Sequence, residues 1–332
     1  MVCYSSGELG YTPAGCAGFA DRLFDERGDV LSSRSSKSRA IALLPGFSPE
    51  AGAVPFPGYR LTRLRGRGGF ATVWEASGPD GDVMALKFMS SSSGASTVRE
   101  LRALRAFAAI EHPHLLPIYD VWSIPGQIVI GMELADASLL DLMFLYAEEF
   151  QTPIETDRLL RYLSQVAGAL DFLNARNHLW EGRKVGLQHG DIKPNNILLV
   201  GDTAKLADYG LATPTTGSKT PCHRHGTLEY VAPEVIQGYA SDTSDQFSLA
   251  VSYHVLRTTT FPFPPPPSPE TLSRSFVRPP PDLTCLPISE RAPLLRALSP
   301  IPQNRYPSCA AFIDALKSAT GMKSGSTVIR VC

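Results

Sequence analysis

The sequence predicts an α+β fold in which a small β-sheet with one helix precedes a larger, mainly helical portion. Up to Met132, apolar and polar residues alternate in short runs bounded by turn residues, a pattern typical of strands. After Leu134 the apolar residues recur at helical spacing instead. The sequence contains no internal repeat, so a solenoid or a propeller is not expected.

The elements follow in order along the chain. A helix is indicated between the third and fourth strands, where apolar residues recur at helical spacing from Val98 to Ala108. The clearest later helix spans Asp157–Asn174, and a Gly201-Asp202 turn joins two further strands. The predicted strands are Arg60–Arg65, Ala71–Ser77, Val83–Met89, Ile118–Ile124, Gln127–Met132, Ile197–Val200 and Ala204–Ala207.

Composition separates a compact region from two polar ends. Residues 1–58 contain 8 Ser, 8 Gly and 5 Pro, with no sustained apolar periodicity. Such a segment cannot bury enough apolar surface to offset its chain entropy, so we expect a disordered arm there and a flexible tail over 321–332. The compact region, residues 59–320, is left as one folded unit.

Charge and cysteine usage exclude several classes of protein. The net charge of −1 gives no basic surplus for nucleic-acid binding, and no apolar run approaches the roughly 18 residues of a membrane anchor. The start of the chain lacks the basic and apolar regions of a secretory signal. The six cysteines are scattered without a Cys-x-x-Cys pair, so reduced thiols and a cytoplasmic location are expected.

A glycine cluster, Gly66-Arg67-Gly68-Gly69-Phe70-Ala71-Thr72-Val73, lies between the first two predicted strands. Glycines allow backbone N–H groups to approach phosphate oxygens without obstruction, although a plain hairpin would have the same composition. The strand–loop–strand setting argues against a dinucleotide-binding unit. Lys87 on the third strand and Glu100 on the helix could form an ion pair that orients a phosphate-binding ammonium, or a solvated surface pair.

A second constellation lies further along the chain. His189-Gly190-Asp191-Ile192-Lys193-Pro194-Asn195-Asn196 precedes one strand of the predicted hairpin, and Asp208-Tyr209-Gly210 follows the other. Asn196 and one aspartate offer the hard oxygen ligands that Mg²⁺ prefers, which leaves the other carboxylate to accept a proton. Asp and Asn also populate ordinary turns, but that alternative becomes remote once the upstream glycines and lysine occur in order.

With these motifs in this order, the sequence resembles the eukaryotic-type (Hanks-type) serine/threonine protein kinases, in a bacterial-like form with His-Gly-Asp in place of His-Arg-Asp. Further matches are Gly226-Thr227-Leu228-Glu229-Tyr230-Val231-Ala232-Pro233-Glu234, Ser244–Leu249, and Arg305, which would pair with Glu234. The resemblance implies a bilobal fold, with an N-lobe over 59–133 and a C-lobe over 134–320.

The resemblance also implies a role for each matching residue. Asp191 would accept or orient the substrate hydroxyl proton, and Lys193 would stabilise the transferring phosphoryl group. Asn196 and Asp208 would bind Mg²⁺, and Lys87, held by Glu100, would contact the α- and β-phosphates of ATP. The remaining nucleotide-binding positions would be Gly66, Arg67, Gly68, Gly69 and Phe70 in the loop, Val73, Ala85 and Leu198 around adenine, Met132 as gatekeeper, and Glu133 and Ala135 in the hinge.

Three departures from the family pattern qualify these expectations. Ala71 replaces a loop glycine at small steric cost, and Tyr209 replaces Phe and adds a hydroxyl that needs a partner if buried. Gly190 replaces the arginine that reads an activation-segment phosphate in many kinases. The sequence therefore predicts activity that does not require phosphorylation of the activation segment.

The implied partners are ATP and a protein substrate with a Ser or Thr acceptor, in a signalling role. Two alternatives are a small-molecule phosphotransferase, since His-Gly-Asp also resembles aminoglycoside kinases, and a catalytically weak kinase-like scaffold. The proline run over 261–269 could dock an SH3-like module, although a stiff connector explains it as well. The segment 180–186 exceeds the family minimum and has no assigned role.

Overall fold

The computed structural model of the chain describes residues 47–68, 71–90, 101, 104–105, 107–124, 126–180, 182–216, 219–222, 226–268 and 271–322. The chain divides into two units. The first comprises the described residues of Met1–Asp136 and Val200–Asp202, and the second those of Ala137–Leu199 and Thr203–Cys332. The main segment of the first unit ends at Asp136, slightly beyond the lobe boundary at residue 133 that the family resemblance implies.

The first unit is built on a five-stranded antiparallel sheet with the strand order β1-β2-β3-β5-β4. Its strands are β1 (Arg60–Arg67), β2 (Ala71–Ser77), β3 (Val83–Ser90), β4 (Ile118–Ile124) and β5 (Gln127–Met132). The predicted strands are confirmed, but β1 is longer than predicted because Gly66 and Arg67 pair with Val73 and Thr72. The glycine-rich turn is correspondingly shorter.

Apolar side chains cover parts of both faces of this sheet. On one face Trp74, Leu86 and Val129 belong to a buried cluster, and on the other Ile128 and Ile130 pack with Leu104. Residues 101, 104, 105, 107 and 108 are helical, as predicted for this part of the chain. Glu100, the predicted partner of Lys87, lies outside the described residues.

Residues 47–58 pack on the sheet, although the sequence predicts a disordered arm that extends to residue 58. Phe56 is 1% exposed, and its ring centroid lies 4.7 Å from that of Trp122. Backbone hydrogen bonds join Gly52 N to the Leu61 carbonyl and Leu61 N to the Ala53 carbonyl. The contact between Phe56 and Trp122 therefore anchors a Gly- and Pro-rich segment. The local composition of that segment does not reveal this contact.

The second unit is mainly helical. Its helices are α1 (Leu139–Leu145), continued by a π-turn over Tyr146–Phe150, α2 (Thr156–Asn174), α3 (Pro233–Ile236), α4 (Ser244–Thr258), α5 (Ile288–Ala297) and α6 (Cys309–Thr320). Every residue of α4 from Ser244 to Leu256 is buried, so this helix forms the centre of the unit. None of the described helices has the length and apolar character needed to cross a membrane.

Short strands complete the second unit. Strands β6 (Ala137–Ser138), β9 (Ile197–Val200) and β10 (Thr203–Leu206) form one sheet, and β7 (His178–Trp180), β8 (Arg183–Gln188) and β11 (Thr213–Thr215) form another in the order β11-β8-β7. The pair β12 (Thr220–Pro221) and β13 (Tyr239–Ala240) is separate. The described residues of the unassigned segment 180–186 thus belong to a β-hairpin whose second strand also pairs with β11.

The proline-rich stretch between α4 and α5 contains neither helix nor strand among its described residues. Its first residues are nevertheless packed into the core. Pro262 and Phe263 are buried, and the ring of Phe263 stacks on Phe247 of α4 at 5.8 Å. The proline run is therefore anchored at its start, and Pro264 is the first exposed proline in it.

Candidate active site

The loop between β8 and β9 carries the predicted catalytic residues, and α4 fixes its start. The backbone N–H of His189 donates to Asp245 Oδ2 at 2.7 Å, and that of Gly190 donates to Asp245 Oδ1 at 3.0 Å. The His189 ring is fully buried, with Nε2 2.9 Å from the Ala207 carbonyl oxygen. One buried carboxylate near the start of α4 therefore holds two successive amides of the loop.

Gly190 has a φ of +81°, a left-handed conformation that residues with a Cβ rarely adopt. Gly226, at the far end of the activation segment, has a φ of +88° and lies against it. A Cβ at Gly226 would come within 2.6 Å of the Gly190 carbonyl oxygen. Gly226 therefore lets the activation segment approach the backbone of the catalytic loop.

Asp191 is the centre of the site. Its Oδ2 accepts from the Lys193 ammonium and from the Asn196 amide, each at 2.9 Å, and its Oδ1 accepts from the backbone N–H and the hydroxyl of Thr227, each at 3.0 Å. Its side chain is 9% exposed. The structure therefore brings the three predicted catalytic residues together and adds Thr227 to them.

These contacts decide the charge of Asp191. Burial alone would raise the pKa of its carboxyl group, but the charge of Lys193 and the hydrogen bonds from Lys193 and Thr227 outweigh burial and lower it. The group is therefore an ionised acceptor at neutral pH. A carboxylate in this state can orient a hydroxyl group and take its proton.

Lys193 and Thr227 form a second link across the site. The Lys193 ammonium donates to Thr227 Oγ1 at 2.7 Å, while the same hydroxyl donates to Asp191. The Lys193 side chain is 23% exposed, so it is partly accessible to a ligand. It is thus a fixed positive charge beside the carboxylate, which is the arrangement needed to stabilise negative charge that develops on a transferred group.

Asn196 and Asp208 lie on either side of the β9–β10 hairpin. Asn196 closes the turn Pro194–Asn196, donates through Nδ2 to Asp191, and accepts at its backbone oxygen from Ala207 N at 2.9 Å. Asp208 follows Ala207 directly and is exposed, with a φ of +69°. An amide oxygen and a carboxylate fit Mg²⁺, which takes few protein ligands and keeps several waters.

Tyr209 confirms the expectation that its hydroxyl needs a partner. The side chain is 4% exposed, and the hydroxyl donates to the Leu206 carbonyl oxygen at 2.6 Å. Its ring meets the buried His189 ring edge to face at 5.6 Å. The replacement of Phe by Tyr is therefore accommodated by a local hydrogen bond.

Four of the predicted nucleotide-binding residues of the first unit share one face of its sheet. Val73 pairs with Lys87, and Ala85 pairs with Met132, so the side chains of all four project from the same side. The hinge begins after Met132, where Glu133 N donates to the Pro117 carbonyl. Gly69 and Phe70, like Glu100, lie outside the described residues, and Leu198 lies on β9 in the second unit.

The backbone of the segment Gly226–Glu234 is held by Arg278, which the sequence did not indicate, and by Ser248 of α4. Arg278 donates to the carbonyl oxygens of Leu228 and Val231, the latter at 2.9 Å, and Ser248 donates to that of Tyr230 at 2.9 Å. Burial lowers the pKa of Arg278 to about 10, so it stays charged at neutral pH. A single arginine in a proline-rich segment carries no local signal of this role.

The predicted pair between Glu234 and Arg305 is confirmed. Both oxygens of Glu234 accept from the guanidinium at 2.7 Å, and the two side chains are 1% and 0% exposed. Burial would raise the pKa of Glu234, but the hydrogen bonds and charge of Arg305 outweigh it and lower the pKa. This bidentate pair fixes the end of the segment.

Comparisons with known proteins agree with this geometry. The protein kinase domain model matches residues 59–307. The chain is 30% identical over 292 residues to the serine/threonine-protein kinase PknE of Mycobacterium tuberculosis, which covers 83% of this chain and 48% of that protein. It is 28% identical to PknF of the same species, over 82% of this chain and 58% of the relative.

A further relative is the serine/threonine-protein kinase PknH of Mycobacterium bovis, 29% identical over 76% of this chain and 42% of the relative. The chain spans about half the length of the curated relatives it matches. The family match covers well over half of the chain and includes every element of the site. By this match and by the geometry of its catalytic loop, the chain belongs to the protein kinase family.

Proposed function

We propose that this chain is a serine/threonine protein kinase that transfers the γ-phosphoryl group of Mg-ATP to a Ser or Thr hydroxyl of a protein. The observation that carries the proposal is the set of contacts among Asp191, Lys193 and Thr227. These contacts place an ionised proton acceptor, Asp191, beside a fixed positive charge, Lys193, in one buried loop. Membership of a family that uses ATP supplies the donor.

The proposed reaction is an in-line displacement at the γ-phosphorus. The substrate hydroxyl oxygen forms the new P–O bond, the bond to the β,γ-bridging oxygen breaks, ADP leaves, and Asp191 receives the hydroxyl proton. Lys193 stabilises the charge on the transferred group. Asn196 and Asp208 would hold Mg²⁺, which when bound neutralises phosphate oxygens.

The preference for Ser and Thr over Tyr rests on Lys193 and Thr227, which match the serine/threonine pattern and touch each other at 2.7 Å. Incubation of the purified chain with ATP and Mg²⁺, followed by phosphoproteomics on a mixed peptide library, tests this. We expect phosphoserine and phosphothreonine. Phosphotyrosine alone, or transfer only to aminoglycosides in a parallel panel, would contradict the proposal.

Activity without activation-segment phosphorylation is the finer part of the proposal. The described part of the segment is held by the pairing of β11 with β8 and of β12 with β13, and by the bonds between Thr227 and Asp191. Position 190 is a glycine without a side chain that could read a phosphate, and its backbone N–H donates to Asp245 Oδ1.

Alanine replacement of the five segment hydroxyls, Thr213, Thr215, Thr216, Ser218 and Thr220, is therefore expected to leave peptide phosphorylation rates within about threefold of the unsubstituted chain. Initial rates at saturating ATP measure the effect. The matched comparison is the unsubstituted chain before and after phosphatase treatment. A loss of about a hundredfold, ~2.7 kcal/mol in activation free energy, would overturn the idea.

Thr215 gives a second, independent test of how the segment is held. The residue is fully buried in β11, and its hydroxyl has no hydrogen-bond partner among the described residues. Because an unpaired buried hydroxyl costs about 1–3 kcal/mol, Thr215→Val is expected to raise the free energy of unfolding by up to about that amount. Chemical denaturation measures it.

The control for this variant is Thr213→Val on the same strand, where the hydroxyl donates to the Leu211 carbonyl at 3.2 Å. That substitution is expected to lower the free energy of unfolding slightly. If Thr215→Val destabilises the chain more than Thr213→Val does, β11 is not docked on β8 in solution.

For the proline run we propose a connector rather than a docking motif, because Pro262 and Phe263 are buried and only the following prolines are accessible. An SH3-like partner, the cytoplasmic location and a signalling role stay predictions. The scaffold alternative is disfavoured by the contacts that hold Lys193 and Asn196 against Asp191, and the small-molecule alternative by the anchored segment Gly226–Glu234.

A further inference from the structure

Arg65 occupies an irregular position in β1. Leu64 pairs with Trp74 and Gly66 pairs with Val73, so Arg65 is an extra residue opposite a single step of β2. Such a β-bulge turns the side chain of the extra residue away from the direction that strict alternation would give. The bulge lies directly before the glycine-rich turn, at the edge of the five-stranded sheet.

The guanidinium of Arg65 reaches the hinge, 70 residues later in the chain. Its Nη2 donates to the carbonyl oxygen of Ala135 at 3.2 Å and to that of Asp136 at 3.0 Å. Its Nη1 lies 3.6 Å from Glu75 Oε2, and both side chains are about three-quarters buried (24% and 26% exposed). A planar fork of donors is suited to holding two successive carbonyl groups at once.

The other arginines of β1 do not share this arrangement. Arg60, Arg63 and Arg67 are all exposed, and the contact of Arg60 is a single bond to the Gly52 carbonyl. The four basic residues of the strand are thus not one solvated stripe. Arg65 alone among them is directed to the hinge.

The position of Glu75 places this contact beside the predicted adenine-binding residues. Glu75 pairs with Ala85 on β3, and Ala85 pairs with Met132 on β5. Residues paired directly across neighbouring strands project from the same face, so Glu75 shares the face of Ala85 and Met132. The ion pair of Arg65 and Glu75 therefore borders the base-binding side of the sheet.

We propose that Arg65 is a positioning residue for adenine binding, which fixes the hinge backbone at Ala135 and Asp136 before the nucleotide arrives. A hinge held in one conformation avoids the entropy cost of ordering that backbone on binding. The effect acts at the base and not at the phosphates. This inference rests on the proposed function, because the hinge matters only if the chain binds ATP.

Arg65→Ala tests the proposal, with Arg63→Ala as the matched control on the same strand. Loss of two charge-assisted hydrogen bonds is expected to raise KM for ATP about tenfold, with kcat and the KM for peptide within about twofold. Arg65→Lys keeps the charge but not the fork, and is expected to raise KM for ATP about threefold. Arg63→Ala should leave all three constants unchanged.

Direct binding separates positioning at the base from a general structural effect. In Arg65→Ala the dissociation constants of adenosine and of ATP, measured by calorimetry without peptide, should rise by the same factor, while that of tripolyphosphate should not change. An adenosine affinity equal to that of Arg63→Ala overturns the proposal. So does an equal weakening of adenosine, tripolyphosphate and peptide together with a lower Tm.

The proposed kinase function and the proposed role of Arg65 can be contradicted separately. If the unsubstituted chain binds ATP but transfers no phosphate, the proposed function is wrong and the binding test of Arg65 still applies. If the unsubstituted chain transfers phosphate and Arg65→Ala binds adenosine normally, the inference about Arg65 is wrong and the kinase assignment stands.

Discussion

Asp191→Asn is expected to reduce phosphoryl transfer to peptide by about 10²–10⁴-fold, the usual contribution of a positioned general base. An amide cannot accept the hydroxyl proton. It also fits the site poorly, because both oxygens of Asp191 accept hydrogen bonds from Lys193, Asn196 and Thr227. Either orientation of an asparagine at position 191 would turn an NH₂ group toward a donor. Steady-state kinetics with peptide substrate measure the loss.

The matched control is Asp157→Asn, an exposed aspartate in the first turn of α2. It makes the same change of charge and is expected to leave the rate unchanged. ATP affinity should be retained in Asp191→Asn, since the residue acts on the acceptor hydroxyl. If Asp191→Asn transfers phosphate as fast as Asp157→Asn, the proposed role of Asp191 is wrong.

The strands were predictable where a short run rich in apolar residues is bounded by turn residues. The predicted bounds of β2, β4, β5 and β9 agree with the structure, because local sequence alone determines those features. The helix α2 agrees to within one residue for the same reason. In a long periodic segment, the face that the local pattern marks as apolar is also the face that the tertiary fold buries.

The elements that could not be predicted depend on distant partners. Strand β7 is three residues long and gains its place by pairing with β8, which in turn pairs with β11 of the activation segment. Residues 47–58 are Gly- and Pro-rich, and their packing depends on distant partners, such as Trp122 for Phe56 and Phe88 for Phe47. None of these contacts leaves a periodic trace in the local sequence.

In the active site, too, residues close together in the sequence were predictable, and residues far apart in it were not. Asp191, Lys193 and Asn196 lie within six residues of each other, so their spacing alone indicated a shared site. Thr227 and Asp245, which complete and hold that site, come 36 and 54 residues after Asp191. Arg65 and Arg278 were missed because an arginine gives no indication of which backbone carbonyl it will reach.

Arg305→Ala is expected to lower the free energy of unfolding by roughly 3–5 kcal/mol, the usual cost of removing one partner from a buried ion pair. The guanidinium makes two bonds to Glu234 at 2.7 Å, and further bonds to the carbonyls of Ser299 and Thr243 at 2.9 Å. Its removal leaves Glu234 as an unpaired buried charge. Urea denaturation monitored by circular dichroism measures the change.

Asp314→Ala provides the control, because Asp314 forms an ion pair with Lys317 at 3.5 Å while its side chain is 62% exposed. Exposed pairs contribute at most about 1 kcal/mol, so this variant should be almost as stable as the unsubstituted chain. Arg305→Lys retains the charge but cannot form the bidentate contact, and should fall between the two. Equal stability of Arg305→Ala and Asp314→Ala would contradict the prediction.

The pH dependence of the free energy of unfolding gives a second test of the ion pair between Glu234 and Arg305. The pKa of Glu234 is lowered in the folded chain, so its ionised side chain stabilises the fold fully at pH values above the ordinary glutamate pKa of about 4.3. This stabilisation is lost as the pH falls through the folded pKa. In Arg305→Ala the buried carboxyl group loses its cation, and burial then raises its pKa. Protonation of Glu234 should therefore partly relieve the defect, so the difference in stability between the two chains should narrow as the pH is lowered from 7 toward the ordinary glutamate value. A difference that stays constant across that range would mean that the cost comes from lost packing around Arg305 rather than from the unpaired charge.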